Sequence, residues 1–101
     1  VPLIPSTLSR RALDEVEAHL RRHHKEHAVV MPVFNMVDQR RAAHRAAIAA
    51  APDWPMIPMS SLVEQMADRH AAVVAYAPRA PVSRALADLW VQIERRLAAI
   101  A

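Results

Sequence analysis

The chain has 101 residues and a net charge of +3, which corresponds to one small domain with a weak attraction for nucleic acid, anionic lipid or nucleotide. It contains no cysteine, so disulfides and thiolate chemistry are excluded. It also contains no glycine, and backbone phosphate cradles such as the Walker A loop need glycine, so any such loop must lie outside this chain.

We expect no secretory signal in the first residues, because they lack a basic segment followed by an apolar one. Charge-free stretches of about ten residues are too short to span a bilayer. We therefore expect a cytoplasmic protein without a membrane span. The chain begins inside an apolar run and without an initiator methionine, which we interpret as the start of a piece of a longer protein.

The first predicted elements are a strand, a helix and a second strand. Residues 1–4 are apolar and bounded by proline, which is typical of a short buried strand. Ser6 or Thr7 is expected to cap a helix at 7–24, whose charges run from acidic to basic as the helix dipole favours. The apolar run 28–34 is continuous rather than alternating, which predicts a strand covered on both faces, as in a parallel sheet.

A turn and an alanine-rich helix follow. Pro32 argues against a central position for the second strand, because proline cannot donate to the ladder. Residues 35–38 are the predicted turn, and Asp38 is positioned to cap a helix at 39–51.

The second half begins with a third short strand at 54–58. Ser61 and Glu64 have capping-box spacing, which predicts a helix from 61 to about 70. Residues 71–78 are apolar and are compatible with either a loop over the core or an edge strand.

The last predicted element is a long amphipathic helix that begins at Pro81, since proline suits the first helical turn. Its apolar stripe consists of Val82, Leu86, Leu89, Trp90, Ile93, Leu97 and Ile100. The order strand–helix–strand–helix–strand–helix predicts an α/β fold with about three parallel strands and flanking helices. Such a sheet is incomplete, so we expect self-association through its open edge or by exchange of elements.

Four segments, in this order, resemble ParA/MinD-type P-loop ATPases of the deviant Walker A class. Residues 3–13 (LIPSTLSRRAL) resemble the strand and helix after the Walker B region, and residues 33–41 (VFNMVDQRR) resemble a later strand and its turn. Residues 56–64 (MIPMSSLVE) resemble the next strand and helix start. Residues 76–85 (YAPRAPVSRA) resemble the closing segment before the last helix. The resemblance covers nearly the whole chain.

The resemblance implies that residues 1–101 are the C-terminal part of a ParA/MinD-like ATPase domain, with a partial P-loop NTPase fold. Such ATPases bind ATP and magnesium, dimerise, and partition or position chromosomes, plasmids and other cargo. Their relatives include cobyrinic acid a,c-diamide synthase-like proteins and accessory ATPases of cellulose synthesis. The glycine-rich loop, the catalytic lysines and the magnesium ligands belong to the N-terminal half, so this chain alone is expected to bind no cofactor and to catalyse nothing.

The resemblance also implies two base contacts. Asn35 matches an asparagine that faces adenine, and an amide can both donate to and accept from a purine edge. Pro58 matches a strand-end proline that packs beside the base. The alternative for Asn35 is ordinary turn chemistry. The chain departs from the family at Met59, where arginine is common, and at Ala80, where glycine or serine is common.

A basic surface is the remaining candidate for function. Clustered positive charge is sufficient for non-specific DNA binding, whereas the alternative is a solvated basic face. The candidate DNA-facing residues are Arg40, Arg41, Arg45, Arg79 and Arg84, with His44, Arg95 and Arg96 as further members of the surface.

Other chemistry is weakly indicated. His19 and His23 share a helix face but complete no known zinc pattern, so we interpret them as a solvated helix end. Trp54 and Trp90 are expected in the core. The alternatives to an ATPase piece are a stand-alone protein–protein interaction module, which would use the final helix, and a small basic nucleic-acid-binding protein.

Overall fold

A computed structural model describes residues 1–23 and 26–100. It confirms an α/β architecture with a three-stranded parallel sheet and a long C-terminal helix. The strands are β1 (Pro2–Leu3), β2 (Val33–Val37) and β3 (Met56–Pro58), in the order β1-β2-β3. The helices are α1 (Thr7–His23), α2 (Ala42–Ala50), α3 (Ser61–Glu64), α4 (Met66–Arg69), α5 (Val73–Tyr76) and α6 (Pro81–Ile100).

The predicted α1, α2 and α6 are confirmed, with small differences at their ends. Ser6 is the cap of α1, because the Ser9 N–H donates to its Oγ at 3.1 Å. Pro81 is the first residue of α6, as predicted. Residue 24, the predicted end of the first helix, lies outside the described residues.

The chain forms two compact units, Val1–Met56 and Ile57–Ala101. The core of the first unit is a cluster of buried apolar side chains from the sheet, α1 and the end of α2. Trp54 packs against this cluster, with its ring centroid 5.1 Å from that of Phe34. The buried cluster consists of Leu3, Leu13, Phe34, Val37 and Ala51. Each large side chain in it contributes about 1.5–3 kcal/mol through burial.

The second unit buries Ile57, Val73 and Val82. The Tyr76 hydroxyl donates to the Leu62 carbonyl, which ties α5 to α3. Residues 71–78 are therefore neither a loop nor an edge strand, since their centre is the short helix α5. Within α5, Val73 is buried and Tyr76 is held by its hydrogen bond to α3.

The prediction for the second strand was wrong in three respects. β2 begins at Val33, not at 28, and it is the central strand. Pro32 immediately precedes β2, so its missing N–H removes no bond from the strand. Asn35 lies within β2, and the turn follows it at residues 38–41.

Three further predictions need correction. The helix predicted for 61–70 is interrupted at Gln65, which separates α3 from α4. Its cap is Ser60, whose Oγ accepts from the Leu62 N–H at 3.2 Å, so Ser61 is already the first helical residue. Trp90 is 59% exposed and is not a core residue, because the second unit covers only the beginning of the α6 stripe.

Candidate functional site

The loop between β2 and α2 is the best-organised polar region among the described residues. It follows the carboxyl end of the central strand, which is where open parallel sheets bind ligands. The Asp38 N–H donates to His44 Nδ1 at 3.0 Å, and the Arg41 N–H donates to the Asp38 carbonyl at 3.0 Å. Both bonds fix the backbone at Asp38, so the loop has a defined shape.

The Asp38 carboxylate binds Arg40 and does not cap α2. Its Oδ1 accepts from the Arg40 backbone N–H at 3.1 Å and from Nε at 3.0 Å, and its Oδ2 accepts from Nη2 at 3.1 Å. The guanidinium hydrogen bonds, followed by the backbone one, lower the pKa of Asp38. Arg41 is the residue at the α2 N-cap, and its side chain makes no capping bond. The predicted cap was wrong because the carboxylate is already occupied.

His44 is buried, with 4% of its surface exposed, so its predicted place on a DNA-facing surface was wrong. Since Nδ1 accepts a hydrogen bond, we assign the neutral tautomer with the proton on Nε2. The signal for burial was present in the sequence. His44 shares a helix face with Ala47, Ile48 and Ala51, which pack in the core of the first unit.

Three of the five predicted DNA-facing arginines lie in this loop or just after it. We call this group (Arg40, Arg41 and Arg45) the arginine loop. All three are exposed. The Arg45 Nη1 donates to the Gln39 carbonyl at 2.7 Å, and Arg40 is paired with Asp38. Among the described residues, the Arg41 side chain makes no hydrogen bond or ion pair, so its guanidinium is free of protein partners that would compete with a phosphate.

The other two predicted arginines belong to the second unit, where both are exposed. Arg79 lies in the turn before α6, and Arg84 lies in the first turn of that helix, with its N–H bonded to the Ala80 carbonyl at 3.1 Å. The five arginines therefore form two local groups, one in each unit.

Asn35 is half-buried at the centre of β2, one residue before an unusual backbone position. Met36 has φ 54°, in the left-handed region, which costs a residue with a Cβ about 1–2 kcal/mol. Strain of this kind concentrates at binding and catalytic sites. Pro58 is the last residue of β3, is half-buried, and belongs to the second unit.

A groove of 380 Å³ separates α1 from α2 in the first unit. Phe34 forms part of its lining, and Arg10 at its rim places its guanidinium 4.6 Å from the centroid of Trp54 and 3.4 Å from an oxygen of Asp14. The lining consists of Ser6, Thr7, Arg10, Arg11, Phe34, Ala43, Ala46, Ala47 and Ala50. None of the predicted site residues belongs to it. Asn35 follows Phe34 in the strand and so faces the opposite side of the sheet.

Two other kinds of feature are absent from residues 1–23 and 26–100. No group of three or more histidine, cysteine, aspartate or glutamate side chains could hold a metal ion, although the rings of His19 and His23 lie 4.6 Å apart. In the same part of the chain, no helix has both the length and the apolar character needed to cross a membrane.

Comparison with known proteins found no matching family model, no matching curated protein and no matching solved structure. The resemblance to ParA/MinD-type ATPases therefore depends on the quoted segments alone, and the assignment of function is a proposal.

Proposed function

We propose that this chain is the C-terminal part of a ParA/MinD-type ATPase that partitions or positions DNA or other cargo. In this proposal Asn35 supplies an adenine contact, and the arginine loop supplies a phosphate-facing surface. The parent protein binds ATP and magnesium through a glycine-rich loop N-terminal to these residues, since the chain itself has no glycine. Hydrolysis therefore requires that other half.

The observation that supports the proposal best is where the four similar segments fall in the fold. Residues 3–13 run from the end of β1 into α1, and residues 33–41 comprise β2 and its turn. Residues 56–64 comprise β3 and α3, and residues 76–85 lead into α6. Each segment therefore includes strand residues or a helix start, and this agreement supports the proposal.

The position of Asn35 supports its role in a second way. It lies in the central strand, next to the strained Met36 and three residues before the anchored loop. A side chain held by a strand and a fixed loop is more rigid than one in a free turn. Rigidity of this kind lowers the entropic cost of ligand binding.

A titration of the complete protein with ATP or GTP, in which only residues 1–101 carry the isotope label, tests the Asn35 contact, because this chain alone is expected to bind no nucleotide. The chain contains one asparagine and three glutamines, so its side-chain amide resonances are easily distinguished. We expect the Asn35 amide to shift with ATP and to remain unchanged with GTP, while the exposed Gln39 amide reports non-specific effects. Equal shifts with both nucleotides, or none at Asn35, would contradict the proposed contact.

Salt-dependent DNA binding tests the arginine loop. Each phosphate contact adds about one to the slope of log affinity against log salt concentration. Arg41→Ala should reduce the slope by about one. Arg40→Ala is the matched control and should reduce it less, because Asp38 already neutralises Arg40. Equal effects of the two substitutions, or no DNA binding at low salt, would remove the phosphate-facing role.

A further inference from the structure

The last two turns of α1 carry two histidines that the proposed function does not use. His19 and His23 are four residues apart, so their side chains lie on the same face of the helix, and both are exposed. Helical zinc sites place two of their ligands at this spacing, because imidazoles one turn apart can reach the same ion. The pair therefore has the arrangement of a chelate.

The distance between the two rings fits a common metal ion. Their centroids are 4.6 Å apart, and the ring planes are inclined by 38°. A metal–nitrogen bond of about 2.0–2.1 Å places each ring centroid about 3.2 Å from the ion. Two imidazoles at a right angle around one ion are then about 4.5 Å apart, and two at the tetrahedral angle are about 5.2 Å apart. The observed separation is close to the first value, which belongs to the tetragonal geometry of Cu²⁺ and Ni²⁺.

The surroundings of the pair are compatible with a cation. His23 is the last residue of α1, and the carbonyl groups at the end of a helix carry a partial negative charge. Arg21 and Arg22 in the same turn repel a cation, whereas Glu15, one turn before His19, attracts it. These exposed charges oppose one another and are screened by salt, so the imidazoles determine which ion binds.

We propose that His19 and His23 together bind one divalent transition-metal ion, with water in its remaining coordination positions. Imidazole suits copper, nickel and zinc, and the affinity of such ligands is highest for Cu²⁺. Mg²⁺ and Ca²⁺ prefer oxygen ligands and should not bind here. Two protein ligands are fewer than the three or four of zinc sites, so the ion is exchangeable, with a dissociation constant for Cu²⁺ on the order of 1–100 µM.

This inference does not depend on the proposed nucleotide role. The metal is detected at the end of α1, whereas the nucleotide is detected at Asn35. The magnesium that accompanies ATP is a different ion with different ligands. Either proposal can therefore fail without the other.

Paramagnetic broadening by Cu²⁺ locates the site in the complete protein, with the isotope label confined to residues 1–101. Substoichiometric Cu²⁺ should broaden the amide signals around His19 and His23 before those around His70, and Mg²⁺ should change neither. His70 is a matched control, because it is also exposed and has no other histidine near it in the sequence. Broadening of both regions at the same Cu²⁺ concentration, or none in α1 up to about 1 mM Cu²⁺, overturns the proposal.

Substitutions test whether the two imidazoles act together. His19→Gln and His23→Gln should each weaken Cu²⁺ binding in α1 at least about tenfold, because the second imidazole binds within the same molecule at a high effective concentration. His70→Gln should leave this binding unchanged. Both α1 positions are exposed, so glutamine should not disturb the packing of the helix.

A second control keeps the number of histidines and changes only their spacing. Arg21→His combined with His23→Gln leaves two imidazoles two residues apart, which places them on different sides of the helix. This variant should bind Cu²⁺ as weakly as His19→Gln does. An affinity equal to that of wild type, in this variant or in either single histidine variant, overturns the proposal.

Discussion

Substitution of His44 should weaken the fold by an amount that depends on whether the new side chain accepts a hydrogen bond. Nδ1 is the acceptor for the Asp38 N–H at 3.0 Å, and the imidazole is buried. Leucine keeps most of the volume but leaves that N–H without a partner, which costs about 1–3 kcal/mol. For a domain of this size the loss corresponds to a fall in Tm of roughly 5–20 °C.

His44→Asn is the matched control, because the asparagine Oδ1 occupies nearly the position of Nδ1 and the two residues have similar helix propensity. We expect urea unfolding to order the proteins as wild type, then His44→Asn, then His44→Leu. The amide of Asp38 should also exchange with solvent faster in His44→Leu. If His44→Leu is as stable as wild type, the hydrogen bond does not anchor the loop, and the reasoning is refuted.

Three other predictions concern single positions. Met36→Gly should be more stable than Met36→Ala by about 1 kcal/mol, because φ is 54° at this residue. The reverse order of stability in urea unfolding would contradict a left-handed backbone conformation at residue 36. Ser83→Ala should raise stability by about 1 kcal/mol, because the buried Ser83 Oγ has no hydrogen-bond partner among the described residues; a loss of stability would reveal a partner. Because Arg40 lowers the pKa of Asp38 below 3.8, the stability that this carboxylate adds should be present above pH 3.8 and should disappear as the pH falls further. Asp38→Asn should remove this pH dependence, and an unchanged profile would contradict it.

The sequence predicted the elements that depend on local patterns. The continuous apolar runs indicated parallel strands, and the long stripe after Pro81 indicated α6. These signals are strong because periodicity is repeated over many residues. The sequence did not predict the strand ends or the short helices, because a few tertiary contacts determine where these elements begin and end. The presence of Pro32 led to the wrong prediction that the second strand is not central in the sheet. Residues 71–78 resemble a strand in their apolar character, but burial of Val73 and the hydrogen bond of Tyr76 stabilise a short helix there.

The sequence predicted which residues form the candidate site but not how their side chains are arranged. The cluster Arg40, Arg41 and Arg45 is visible in the sequence, but the sequence does not show that Asp38 neutralises one of the three charges. His44 was grouped with these basic residues, although its helix face pointed to burial. The positive φ of Met36 had no signal, because the chain uses no glycine at either of its described left-handed positions.

The most direct test of the account is nucleotide binding by the protein that the complete reading frame encodes. That protein should bind ATP in the presence of magnesium and should prefer ATP to GTP. Asn35→Ala should reduce the affinity for ATP by about tenfold, as expected for the loss of one hydrogen-bonding partner of the base, and should leave the affinity for GTP unchanged. An absence of ATP binding, or an Asn35→Ala protein that still distinguishes ATP from GTP as wild type does, would contradict the account.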